Sequence, residues 1–193
     1  MKKKTGSILV FSAPSGTGKT TLIRSILKIF PDVVYSISAT TRKKRPNERD
    51  GVDYFFVDEE TFQQKIKAEE FVEWEKVYDY FYGTPKFFVE KMIPDGKSIL
   101  LEVDVKGALS IKKVYPEAIM IYILPPSLEE LGKRLRDRKT ESEKDFLKRI
   151  ERAKMELSLK DKFDYFITNN NLNTAISELK ELIEKITKQE NTK

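Results

Sequence analysis

The 193-residue chain contains neither cysteine nor histidine. Without cysteine no disulfide framework exists, and thiol usage says nothing about redox compartment. Without histidine no imidazole serves as general base or metal ligand. No apolar run approaches the length of a membrane span. The basic opening, residues 1–7, leads into a short apolar stretch rather than the long one of a secretory signal, so a cytoplasmic protein is expected, with no membrane partner. Repeats and flexible linkers are lacking, and Asn169-Asn170-Asn171 is the one low-complexity segment. What the chain does have is charge, with 36 basic and 31 acidic residues and a net charge of +5. The signs are interspersed, so the excess is weak evidence for nucleic-acid binding and suits a cleft for polyanionic small molecules equally well. The length fits one domain, or one domain carrying inserted flaps, with a core large enough to need no staples.

The stretch Ser12-Ala13-Pro14-Ser15-Gly16-Thr17-Gly18-Lys19-Thr20 organises the rest. It follows an aliphatic run, Ile8-Leu9-Val10-Phe11, and opens onto Thr21-Leu22-Ile23-Arg24-Ser25-Ile26-Leu27, whose apolar positions recur at helical spacing. Strand, glycine-rich turn and helix form the context a phosphate-binding loop requires. Backbone N–H groups at the helix start favour an anion, Lys19 reaches the outer phosphates, and the Thr20 hydroxyl is placed for Mg²⁺. Ala13 stands where the strict pattern has its first glycine, which is tolerable if its φ is negative.

Further strands are expected over residues 33–38, 52–57, 71–77, 99–104, 118–124 and 163–168, separated by helical patterns. Asp58 is expected to cap a helix, residues 78–85 read as an aromatic cluster ending in a turn, and Asn173 is expected to cap the last helix. Alternation along residues 71–77 places Val72 and Trp74 on the face opposite Glu73. This order predicts an α/β fold with a parallel sheet and helices on both faces. Residues 33–95 and 125–161 read as two insertions on a core of residues 1–32, 96–124 and 162–193.

Three features admit two readings each. Arg42 and Arg45 sit in a dense basic segment that is either a solvated loop or a phosphate site at a strand end. Glu102 and Asp104 close an apolar strand, either as carboxylates merely leaving a sheet or as groups that orient Mg²⁺. Arg134, Arg138 and Arg149 lie on two helices with a basic elbow, either a solvated face or a lid over transferring phosphate.

Beyond the loop, the segments Ser36-Ile37-Ser38-Ala39-Thr40-Thr41-Arg42 with Arg45-Pro46, Asp50-Gly51-Val52-Asp53-Tyr54-Phe55-Phe56, Phe71-Val72-Glu73-Trp74, Tyr82-Gly83-Thr84, Leu101 through Gly107, and Pro125-Pro126-Ser127 follow in order. In these the chain resembles the guanylate kinase family over nearly its whole length. The resemblance implies a nucleotide-triphosphatase-type core with an inserted GMP-binding region, residues 33–95, and a helical lid, residues 125–161. It implies transfer of the γ-phosphoryl group of ATP to GMP, with Mg²⁺ as the cofactor and dGMP as a further acceptor. Arg42, Arg45, Tyr54 and Tyr82 match residues that hold the GMP phosphate. Ser38, Glu73, Thr84 and Asp104 match those around guanine. Residues Ala13, Pro14, Ser15, Gly16, Thr17, Gly18, Lys19, Thr20 and Thr21, with Asn169, match the ATP site, and Thr20 and Glu102 the metal site. Lys19, Arg42, Arg134, Arg138 and Arg149 match the residues of the transfer step. Lys139 and Asn170-Asn171 depart from the family pattern. The competing readings are a peptide-binding scaffold of the same fold, which would often lack a working phosphate loop, and a kinase for another nucleotide, against which Glu73 and Thr84 argue. A nucleic-acid-binding role ranks last, for want of any motif.

Overall fold

The computed structural model describes residues 6–136 and 143–190. Arg138 and Lys139 lie outside the described residues, as does the end of the tail. In chain order the strands are β1 (Ile8–Ser12), β2 (Val34–Ser36), β3 (Ala39–Thr40), β4 (Phe55–Phe56), β5 (Phe71–Val77), β6 (Tyr80–Pro85), β7 (Ile99–Glu102), β8 (Ile119–Leu124) and β9 (Tyr165–Thr168). The helices are α1 (Lys19–Ile29), α2 (Glu59–Lys67), α3 (Lys86–Met92), α4 (Val105–Val114), α5 (Leu128–Arg136), α6 (Glu143–Ser158) and α7 (Leu172–Glu190). The fold is α/β, as expected, with a five-stranded sheet ordered β2-β7-β1-β8-β9. No described helix is long and apolar enough to cross a membrane.

The chain divides into two compact units, one of residues up to Val10 with Asp32–Ala118, the other of Phe11–Pro31 with Ile119 onward. In the first unit β2 pairs parallel with β7, Val34 opposite Ile99, and the fully covered Ile99, Leu100 and Leu101 read as an apolar run because both faces are buried. A second sheet, β4-β3-β6-β5, belongs to the same unit. Its core joins Ala39, Phe62, Phe71 and Phe81, with the Phe62 ring stacked 4.6 Å from Phe71 and 5.5 Å from Phe81. Asp58 caps α2 as expected, accepting from the Thr61 N–H at 2.7 Å.

Three expectations are corrected here. Residues 33–38 are not one strand: the chain leaves the first sheet after Ser36 and enters the second at Ala39. Of residues 52–57 only Phe55 and Phe56 form a strand. Residues 80–85, read as running into a turn, are strand β6, which lies between β3 and β5; the turn is at Tyr78-Asp79, with Tyr78 at φ 55°.

In the second unit β8 pairs parallel with β9, Ile121 opposite Tyr165. Helix α1 buries Leu22, Ile23 and Ile26, the stripe its spacing predicts. Leu131 and Leu135 of α5 pack on Ala153 of α6 with Leu128, Phe146 and Ile150 around them. Ser127 caps α5, accepting from the Glu130 N–H at 3.0 Å. The last helix corrects the expected cap: Asn171, not Asn173, accepts from the N–H groups of Asn173 and Thr174 at 3.0 and 3.2 Å.

Candidate active site

The phosphate loop lies wholly in the second unit, between β1 and α1. Gly16 and Gly18 sit at φ 92° and 90°, the left-handed region where a Cβ is strained. Ala13 keeps a negative φ, since Glu69 and Tyr78 are the non-glycine residues at positive φ among those described. Its methyl therefore meets no left-handed backbone penalty. Thr17 closes the turn, its N–H and its hydroxyl both donating to the Pro14 carbonyl, at 3.3 and 2.5 Å. Ser15, Thr20 and Thr21 are exposed, and Lys19 is half-buried as the first residue of α1.

Two expected lid arginines reach this loop or its support. Arg149 of α6 donates to the Ser15 hydroxyl at 2.5 Å. Arg134 of α5 donates from Nε to Glu130 at 3.1 Å and from Nη1 to the Asn169 carbonyl at 3.2 Å. Buried Asn169 donates from its amide to the Thr17 carbonyl at 2.8 Å. That bond ties its side chain to the loop backbone.

The first unit carries the other set. Arg42, just after β3, lies 5.5 Å from the Tyr54 ring centroid, and Tyr54 meets Tyr82 edge-on at 6.0 Å. Burial disfavours the Arg42 charge, yet its bonds to Glu48 and Tyr82 prevail and hold it above its usual pKa. Burial, with the nearby charge of Glu102, pushes the Tyr54 phenol well up, so it stays an O–H donor at neutral pH. A guanidinium and two phenols thus gather at one place, a donor set suited to an anion. Arg45 is mostly exposed, its Nη1 3.9 Å from Glu48.

Glu73 on β5 accepts from the Thr84 hydroxyl at 2.5 Å, across the β5–β6 pairing. Burial pushes its carboxyl up to about 7, the Thr84 bond pulls the other way, and Asp104 adds to the rise. Asp104 caps α4, accepting from the Gly107 N–H at 2.8 Å. The expected alternation fails at one point. β5 bulges between Phe71 and Glu73, so Phe71 and Val72 are both buried while Trp74 is 45% exposed. The Ser38 carbonyl, its side chain half-buried, accepts from the Phe55 N–H at 2.9 Å. Glu102, at the end of β7, accepts from the Tyr35 hydroxyl at 3.1 Å.

A model of the guanylate kinase family matches residues 5–186. The chain belongs to the guanylate kinase family. The guanylate kinase of Thermotoga maritima is 46% identical over 188 residues, covering 97% of this chain and 89% of that protein. That of Caldanaerobacter subterraneus is 44% identical over 181 residues, 94% and 88% of the two chains. A crystal structure of the guanylate kinase from Anaplasma phagocytophilum superimposes with a TM-score of 0.78 at 32% identity, covering 96% of this chain and 88% of that one.

Within this guanylate kinase fold, one acidic residue escaped the sequence reading. Glu48 takes both Nη atoms of Arg42, at 3.0 and 2.8 Å, and accepts from the Arg45 N–H at 2.9 Å. Its carboxyl is held below the usual range, chiefly by Arg42. The signal was an acid six residues after Arg42 and three after Arg45, closing a basic run. Tyr35, the partner of Glu102, had no comparable signal, because the two are 67 residues apart.

Proposed function

We propose that this chain transfers the γ-phosphoryl group of ATP to GMP, and to dGMP, releasing ADP and the guanosine diphosphate, as a step of purine nucleotide metabolism in the cytoplasm. The observation that carries the acceptor's identity is the Glu73–Thr84 pair. A carboxylate accepts from guanine N1–H and the 2-amino group, whereas adenine offers an acceptor at N1 and a bare C2–H. Ser38 and Asp104 complete the surroundings of the base. Arg42, Arg45, Tyr54 and Tyr82 hold the GMP phosphate as charged and phenolic donors. Residues 33–95 form the GMP-binding region and residues 125–161 the lid.

On the donor side the loop from Ala13 to Thr21 cradles the ATP phosphates, with Lys19 on the outer ones and Asn169 bracing the loop. Arg134, Arg138 and Arg149 act on charge that spreads over the transferring group. No general base is required, because the GMP phosphate oxygen is already an anion. The residues offered to Mg²⁺ are the Thr20 hydroxyl and the Glu102 carboxylate, both hard oxygen donors. Among the described residues no group of three or more His, Cys, Asp or Glu could hold a metal. Mg²⁺ takes one or two protein oxygens and completes its shell with phosphate and water. Bound there, Mg²⁺ neutralises phosphate charge.

The test is ADP release measured with each nucleoside monophosphate in turn. GMP should be the preferred acceptor, with AMP, CMP and UMP weaker by about 100-fold or more in kcat/KM, the scale of discrimination by a buried polar group. A preference for AMP would overturn the assignment of Glu73.

A further inference from the structure

Gly107 stands at the third position of α4, where nothing in the backbone calls for glycine. Its φ is not in the left-handed region, in contrast to Gly16, Gly18, Gly51 and Gly96. Glycine inside a helix costs about 1 kcal/mol relative to alanine, so local preference favours a side chain here. The reason for its absence is spatial. An ideal Cβ on Gly107 would stand 2.7 Å from Glu73 Oε2, 3.1 Å from Glu73 Cδ and 3.3 Å from Asp104 Oδ1. Two carboxylates therefore converge on this one residue, and the nearer has its other oxygen tied to Thr84. Non-bonded carbon and oxygen do not approach to such a distance. A methyl would have to push the Glu73 carboxylate aside, either stretching the bond to Thr84 or swinging the side chain to another rotamer.

We propose that Gly107 is a specificity-determining position for the acceptor base: by presenting no side chain it lets the Glu73 carboxylate lie against the first turn of α4 in the orientation that reads guanine. The proposal rests on the reading of Glu73 as the guanine carboxylate. Gly107 touches no reacting atom and acts through Glu73, as a positioning residue. The short contact is with the far end of a flexible side chain, so a substitution displaces Glu73 without unseating the helix.

The experiment compares wild type with Gly107→Ala, Glu73→Ala and the double variant, measuring kcat and KM for GMP, KM for ATP and the melting temperature. Gly107→Ala should raise the KM for GMP about tenfold or more, leave kcat within about threefold and leave the KM for ATP unchanged. Its melting temperature should stay within about 5 °C of wild type, because the gain in helix preference and the weakened Thr84 bond oppose one another. In the Glu73→Ala background the same substitution should change the KM for GMP by less than about twofold, because the group it acts through is gone. A KM for GMP in Gly107→Ala within about twofold of wild type, while Glu73→Ala raises it, overturns the role of Gly107 alone. A Glu73→Ala variant with wild-type KM overturns instead the guanine reading beneath it. Full additivity in the double variant also overturns the proposal. Should Gly107→Ala fail to fold, a folded double variant with the KM of Glu73→Ala supports the clash with Glu73, and an unfolded one refutes it.

Discussion

Burial pushes the Glu73 carboxyl from its ordinary value of 4.5 up to about 7, so near neutral pH it is divided between its two forms. Only the ionised form accepts both guanine donors, and affinity for GMP should therefore follow its titration. The KM for GMP is expected to fall as pH rises from about 6 to about 8, over and above the titration of the phosphate near 6. Glu73→Gln removes that extra dependence, and the difference between the two pH profiles is the measurement. Parallel profiles would mean that Glu73 does not titrate against the ligand. Stability carries the same signature with a determined sign. A carboxyl whose pKa is raised on folding contributes stability that is fully present below 4.5 and is lost as pH rises through about 7. The gap in melting temperature between Glu73→Gln and wild type should accordingly move in favour of the variant between pH 5 and pH 8.

Elements differ in how far local sequence determines them. The Asp58 cap of α2 was legible because capping chemistry is local. The phosphate loop was legible for the same reason, its glycines being required by backbone angle. The break between β2 and β3 was not. Residues 33–38 have uniform strand preference, and propensity does not report which sheet offers a partner. Strand β6 was obscured by Gly83 and Pro85, which usually punctuate turns, although Pro85 sits at the strand's end where a missing N–H is tolerated. The bulge in β5 and the fit of Gly107 to Glu73 depend on neighbours brought together only by folding. At the start of α7 the sequence points to Asn173, whereas the hydrogen bonds place the cap two residues earlier, at Asn171. Asn171→Ala should lower stability by about 1 kcal/mol, while Asn173→Ala stays within a few tenths of wild type. Chemical denaturation of both variants checks this, and a larger loss at Asn173 would return the cap to that residue.

On the scale of the whole molecule, the two units divide the proposed labour. The phosphate loop, Arg134, Arg149 and Asn169 belong to the second unit, and Arg42, Arg45, Tyr54, Glu73, Tyr82, Thr84 and Asp104 to the first. Each set has its own supporting network, Asn169 and Arg149 against the loop on one side, Glu48 and Thr84 on the other. Lys19 is proposed to serve the ATP phosphates, and the GMP set is made of other residues. Lys19→Ala should therefore reduce kcat by about 10³ or more, roughly 4 kcal/mol of transition-state stabilisation, since its charge answers the charge that develops on transferring phosphate. The same variant should bind GMP in calorimetry with a Kd within about twofold of wild type. Glu73→Gln should show the converse, weakened GMP binding with the Kd for ATP unchanged. The decisive outcome is the GMP titration of Lys19→Ala. A loss of GMP affinity there as large as the loss in Glu73→Gln would show that the acceptor site is not built independently of the phosphate loop.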